Sequence, residues 1–438
     1  MPKQSLSIRE FGFLLNASDH SESIDQPLAK TIPKQAYEAL MALQVSERAQ
    51  DADIQPFLRP VLYRRKPALQ VRNYVGVLQT ACGTQIEVLP KLYDGNEASH
   101  DEEACRNLLL QMLRTLRDSP FKQAGKAHIR DAKMPLLEVY IGQFLTLVNQ
   151  LVKRGIRSDY LQLKQNAKFL KGRLLVSQQI RKNAFHQERF FIEHSEYQIN
   201  RPANRLIKTA LLKVSQLTKT NKNQRLAREL SFVFEQVPTT SDVELDLKQV
   251  KIDRSMGYYQ DVLAWCKLLL SGTGPTASSG KFNTLTLLYP MERLFEDYVA
   301  HCLQSKMPEY FGEGAKLKTQ VGGKTLVEEH NGKSMFRLRP DLAVMQGNKS
   351  TWVMDTKWKM IDASNRAKKY GISQTDMYQL YAYGHKFLTG DDKKLMLIYP
   401  MNNKFTKALP VFKYADGFEL WAVPFDMSKK ELKIDWYL

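Results

Sequence analysis

The stretch Phe336-Arg-Leu-Arg-Pro-Asp-Leu-Ala-Val-Met345, the polar run Gly347-Asn-Lys-Ser350 and the segment Thr351-Trp-Val-Met-Asp-Thr-Lys-Trp358 together decide the fold. The two flanks alternate or run apolar as buried strands do, and the residues between them are turn formers, so the pattern predicts two neighbouring strands of one sheet. Asp341 falls inside the first strand and Asp355 inside the second. A carboxylate within an apolar strand is costly unless it is paired or binds a metal. Lys357 lies two residues beyond Asp355 and so faces the same way. Two carboxylates and a lysine aimed at one point make a hard-oxygen site for Mg²⁺, with Mn²⁺ as a substitute, beside a cation that can hold and polarise water. Such a set serves hydrolysis.

The order Pro340-Asp341, then Asp355-Thr-Lys357, resembles the active site of the PD-(D/E)xK nucleases, although an Asp-x-Lys on a strand also fits a surface ion pair. The next segment, Ser373-Gln-Thr-Asp-Met-Tyr-Gln-Leu-Tyr-Ala-Tyr383, has helical composition and places Gln379 and Tyr383 one turn apart on one face. A Gln-x-x-x-Tyr helix after an Asp-x-Lys strand resembles the RecB-like branch of that superfamily. The resemblance implies a helix closing over the site, with Gln379 and Tyr383 among its catalytic residues; the same spacing also suits a helix packing aromatic rings on a sheet. Upstream, Met291-Glu-Arg-Leu-Phe-Glu-Asp-Tyr-Val-Ala-His-Cys302 reads as the helix that opens the domain. Glu296 is the expected third carboxylate at the metal, after Asp341 and Asp355, and Glu292, one turn earlier on the same face, is the alternative.

A chain of 438 residues, 43% apolar, has room for two or three domains with cores of their own. It has no apolar run near 18 residues and no N-terminal signal pattern, which predicts a cytoplasmic protein without membrane contact. Cys82, Cys105, Cys266 and Cys302 are scattered, against both a zinc site and a disulfide framework. The net charge of +18 is uneven: eighteen Lys and Arg face four Asp and Glu between Lys153 and Arg228, so a polyanion, double-stranded DNA, is the expected partner of that stretch. Lys171, Arg173, Arg205, Lys208 and Lys213 are its candidate phosphate contacts.

The expected fold class is a multidomain α+β or α/β chain. Residues 1–150 form a β-rich N-terminal region with some helix, including a helix over 31–43 and a hairpin over 74–91. Residues 151–272 form a basic, helical, DNA-contacting region. After a Gly, Pro and Ser linker over 271–280, residues 281–438 form a nuclease domain around a central mixed sheet. Gly322-Gly-Lys-Thr325 looks like the end of a P-loop but lacks its first glycine and its following helix, so it reads as a turn and the chain is expected to bind no nucleotide itself.

Taken together, Lys171-Gly-Arg-Leu, Asn204-Arg-Leu-Ile-Lys208, Leu294-Phe-Glu296, Asp341, Asp355-Thr-Lys357, Gln379 with Tyr383, and Leu397-Ile-Tyr-Pro400 resemble the McrC family, the nuclease subunits of McrBC modification-dependent restriction systems. The resemblance covers about residues 165 to 400. It implies a partner, an McrB-like AAA+ GTPase hexamer, whose pore receives the N-terminal region and whose hydrolysis that region stimulates. In that picture the C-terminal domain cuts DNA and the partner reads the modification. Two other classes remain open from the residues: a non-catalytic activator that keeps the nuclease fold as scaffold, and a free-standing RecB-like exonuclease.

Overall fold

In a computed structural model, the described residues are 5–19, 23–50, 56–91, 102–117, 119–123, 134–186, 188–252, 254–271, 285–388 and 393–434. The chain divides into two units, one made of Met1–Lys122 with Gly274–Leu438 and the other of Gln123–Thr273. The expected boundaries at 150 and 281 differ from this division. Residues 1–122 belong with the C-terminal segment, and the helix Leu136–Arg154 belongs with the middle of the chain. Most of the expected linker, 272–280, lies outside the described residues.

The first unit is organised by a mixed sheet, as expected. Its strands run in the order Ala315–Thr319, Leu342–Gln346, Lys349–Thr356, Lys394–Pro400, Glu419–Asp426 and Phe412–Lys413, and Glu431–Leu432 pairs with Glu419–Asp426. Lys349–Thr356, Lys394–Pro400 and Glu419–Asp426 pair in parallel, and the other pairings are antiparallel. Parallel strands are covered on both faces and therefore read as unbroken apolar runs. Leu395-Met-Leu-Ile-Tyr399 is such a run, fully buried. Each large apolar side chain sequestered there contributes about 1.5–3 kcal/mol.

The deciding stretch folds as two hairpins where one had been expected. Lys333–Leu338 pairs with Lys324–His330 in a separate two-stranded ribbon. The chain then breaks at Arg339-Pro340-Asp341 and enters the central sheet at Leu342. Pro340 explains the break, since it has no N–H to give a ladder. Asp341 thus stands at the mouth of the strand, not within it. The second turn is as expected, with Gln346 opposite Lys349 and Gly347 in the left-handed region at φ 59°. Gly322-Gly323 is a bend that links the strand Ala315–Thr319 to the ribbon strand Lys324–His330 of a different sheet, with no helix after it.

Two helices frame the sheet's carboxyl edge. Met291–Gln304 starts after Pro290, and Met291, Leu294, Phe295, Tyr298, Val299, Cys302 and Leu303 make a buried stripe at helical spacing. Gln374–Phe387 starts at Ser373, whose hydroxyl accepts from the Thr375 N–H.

The N-terminal residues are β-rich, as expected, and the hairpin Tyr74–Gln79 with Gln85–Leu89 is present. They are not a domain of their own. Leu285–Pro290 pairs antiparallel with Tyr74–Gln79, completing the sheet Ser5–Arg9, Gln85–Leu89, Tyr74–Gln79, Leu285–Pro290. The approach is close at Gly76, where φ is +132° and a Cβ would lie 2.1 Å from the Leu287 carbonyl oxygen. A five-stranded sheet, Asp25–Gln26, Ala29–Ile32, Phe13–Asn16, Lys66–Val71 and Leu58–Tyr63, and the helices Lys34–Gln50 and Glu102–Thr115 complete this part.

The second unit holds the helices Leu136–Arg154, Pro202–Leu217, Asn221–Val233, Val243–Gln249 and Gln260–Ser271. It is not wholly helical as expected. Asp159–Ala167 and Phe190–Gln198 pair antiparallel along their whole length, and Arg173–Leu174 adds a short third strand. Leu161 and Leu163 alternate with Gln162 and Lys164, the period of a strand.

Candidate active site

Asp341, Asp355, Lys357 and Glu296 line one cleft of about 770 Å³, together with Gln379 and Arg117. Asp355 is the penultimate residue of the strand Lys349–Thr356 and is 3% exposed. Lys357 Nζ stands 2.6 Å from its Oδ2, so the expected shared facing holds. Apart from this ion pair, the buried Oδ2 has no partner among the described residues. Asp341 accepts from the Thr356 N–H and hydroxyl, both at 2.9 Å and both on Oδ2. Its Oδ1 is free of hydrogen bonds among the described residues.

The charges sit in a poorly solvated place. Burial first and the Asp341 charge second push Asp355 up to about 7, with Lys357 pulling the other way. Burial also raises Asp341, against the two Thr356 hydrogen bonds. For Lys357, burial disfavours the ammonium, but Asp355, Asp376 and Asp341 together hold its pKa above the ordinary lysine value.

Glu296 takes the place that the sequence left open, because Glu292 is exposed at the rim while Glu296 faces inward. Burial, then Asp341, pushes Glu296 up to about 7. Its partners here are protein groups. Its Oε1 accepts from Arg117 Nη2 at 3.0 Å and from the Gln320 amide, and among the described residues no three His, Cys, Asp or Glu side chains are grouped to hold a metal ion. Two carboxylates do fit one: Asp355, whose Oδ2 has only the Lys357 ammonium beside it, and Asp341, whose Oδ1 is free, offer the one or two carboxylates that Mg²⁺ takes beside water and phosphate.

Gln379 and Tyr383 share a face as expected, but only Gln379 lines the cleft. Tyr383 OH accepts from Gln379 Nε2 at 2.8 Å, and Gln379 Oε1 accepts from Lys357 Nζ at 3.2 Å. Tyr383 is thus linked to Lys357 through the Gln379 amide. Asp376 had been missed. It lies in the first turn of the same helix, 5% exposed, and takes two hydrogen bonds from Lys359 Nζ at 3.0 and 2.8 Å, with Lys357 Nζ at 4.0 Å. The spacing Lys357, Lys359 on one side and Asp376, Gln379 on the other was the available signal. Arg117 was missed too, and nothing near it in sequence marks it.

The five basic residues of the second unit differ in how far their charges are already engaged. Lys171 and Arg173 are exposed at the short third strand. Arg205 is committed internally: Nε and Nη2 bind the buried Asp246 carboxylate at 3.0 and 2.5 Å, and Nη1 binds Asn200. Lys208 Nζ donates to the Ser231 carbonyl. Burial lowers the pKa of Lys213. Asn204, fully buried, donates to the Arg157 and Ile199 carbonyls and accepts from Tyr259 OH. The Asn204-Arg-Leu-Ile-Lys208 motif thus ties helices and loops together.

The family model described as McrBC 5-methylcytosine restriction system component matches residues 69–400. The chain belongs to this family. Among solved structures, a refined half-complex from a tetradecameric assembly of Thermococcus gammatolerans McrB AAA+ hexamers with bound McrC matches with a TM-score of 0.69 at 17% identity, covering 98% of this chain and 96% of that one. The cryo-EM structure of the T. gammatolerans McrBC complex matches at 19% identity over 68% of this chain and 87% of that one, with a TM-score of 0.49. No curated protein matches the sequence. This McrBC family member has a mixed α/β architecture, and among its described residues no helix is long and apolar enough to cross a membrane.

Proposed function

We propose that this McrBC family member is a Mg²⁺-dependent DNA endonuclease subunit of the PD-(D/E)xK type, working with an McrB-like AAA+ GTPase whose hydrolysis it stimulates. The observation that carries the nuclease reading is the convergence of Asp341, Asp355 and Lys357 in one polar cleft, with Lys357 Nζ 2.6 Å from a buried oxygen of Asp355. Asp341 Oδ1 and Asp355 Oδ2 would hold the cation, which when bound supplies Lewis-acid neutralisation of charge developing on the scissile phosphate. Thr356 fixes Asp341 through its two hydrogen bonds. Lys357, kept charged by its carboxylate neighbours and oriented by Gln379, positions the attacking water and stabilises the same charge.

The partner is proposed from family membership and from the fold shared with the archaeal assembly, in which McrC is bound to McrB AAA+ hexamers. The test is cleavage of supercoiled, 5-methylcytosine-containing plasmid in Mg²⁺ by the chain alone and with its partner and GTP. We expect poor cleavage alone and robust cleavage in the complex, lost with Asp355→Ala. Equal cleavage by wild type and Asp355→Ala would overturn the proposal.

A further inference from the structure

Arg117 follows the helix Glu102–Thr115, which packs against Met291–Gln304. Its backbone N–H donates to Asp297 Oδ2 at 3.1 Å and its Nε to Asp297 Oδ1 at 2.6 Å, while Nη2 reaches Glu296 Oε1 at 3.0 Å. Asp297 is 5% exposed, so the arginine is clamped from behind by a buried carboxylate. Nη1 has no hydrogen-bond partner among the described residues, the side chain is 33% exposed, and Arg117 lines the cleft that holds Asp341 and Asp355. A guanidinium has a planar fork suited to phosphate oxygens, and here one edge is fixed and the other is open.

We propose that Arg117 is a phosphate-binding residue of the nuclease cleft, supplied by the N-terminal segment and presenting Nη1 to the DNA backbone beside the two aspartates. This rests on the nuclease reading above. It follows that the cleft is composite, and that residues 281–438 by themselves lack one of its cations. Burial raises the pKa of Asp341, and the Arg117 charge is among the influences that oppose this.

The test measures duplex DNA binding by fluorescence anisotropy across a salt series in Ca²⁺, using the full chain with its partner, and plasmid cleavage in Mg²⁺ by the same preparations. Each phosphate contact contributes about 0.9 to the slope of log K against log salt. Arg117→Gln should lower the slope by about that amount, and Arg117→Lys, which keeps the charge but loses the fork, should keep the slope and cut at least tenfold more slowly. If Arg117→Gln fails to fold by circular dichroism, the lysine variant decides alone, and undiminished cleavage by it overturns the inference. An unchanged slope for folded Arg117→Gln, with active wild type, overturns the inference and leaves the nuclease reading standing. Wild type that cuts no better than Asp355→Ala overturns both.

Discussion

Trp358 donates its indole N–H to both carboxylate oxygens of Glu10, at 2.9 and 3.1 Å, across 348 positions of sequence. Trp358 is the residue after Lys357, so the N-terminal strand region backs the wall of the candidate site. Glu10 is fully buried and also accepts from the Lys91 N–H. Burial pushes it up to about 7, with those hydrogen bonds pulling down.

A carboxyl group whose pKa is raised by folding lends stability that is complete below its unfolded value and disappears as pH rises through the folded one. Glu10 should therefore make the protein less stable at pH 8 than at pH 5 by its own contribution, and Glu10→Gln should flatten this slope in thermal melts. Trp358→Phe, which removes a donor from a buried charge, should cost about 1–3 kcal/mol, more at pH 8 than at pH 5. A pH slope identical in wild type and Glu10→Gln would show that the group titrates normally.

Asp355→Ala should lower cleavage by about 10³-fold, the scale of losing a main electrostatic element of a transition state. It should also leave the metal-free protein as stable or slightly more stable, because a poorly solvated carboxylate beside Asp341 is gone. Differential scanning calorimetry in EDTA checks the second point; a large drop in melting temperature would make Asp355 a structural residue.

Lys357→Ala should retain cation binding and lose turnover, whereas Asp341→Ala should lose both. Isothermal titration with Mg²⁺ separates the two variants. For the wild type, protonation of Asp355 competes with the cation, so affinity should tighten as pH rises through about 7. Affinity constant from pH 5.5 to 8 would exclude Asp355 as a ligand.

Arg205→Ala should destabilise the second unit by about 3 kcal/mol, since it strands the buried Asp246 charge. The salt dependence of DNA binding should change little. Lys171→Ala with Arg173→Ala should do the reverse, reducing the salt slope and sparing stability. A reduced slope for Arg205→Ala without loss of stability would restore it as a phosphate contact.

The chemistry of the site was legible where it was local. Asp355 and Lys357 are two apart on a strand end, Gln379 and Tyr383 four apart on a helix, and those periods alone brought them together. Asp341 was found by its motif but misplaced, because Phe336-Arg-Leu continues the apolar pattern past a break that only Pro340 marks. Partners joined across long loops left no periodic trace: Arg117 meets Glu296 across 179 positions, and Arg205 meets Asp246 across 41. A basic residue on a helix looks the same in sequence whether its fork reaches solvent or a buried aspartate, which is why Arg205 was assigned to DNA. The strands Asp159–Ala167 and Phe190–Gln198 were missed, although Leu161 and Leu163 alternate with Gln162 and Lys164, because the whole basic stretch around them was read as helical.

The strand Tyr74–Gln79, buried at every position, finds its outer neighbour only in Leu285–Pro290. On the ribosome that neighbour emerges about 200 residues later, which at about 5–20 residues per second means a wait of about 10–40 s. Through that interval an apolar, unpaired sheet edge stands open while the whole intervening unit is being made. The nascent chain should therefore be a client for holdase chaperones until residue 290 has cleared the exit tunnel.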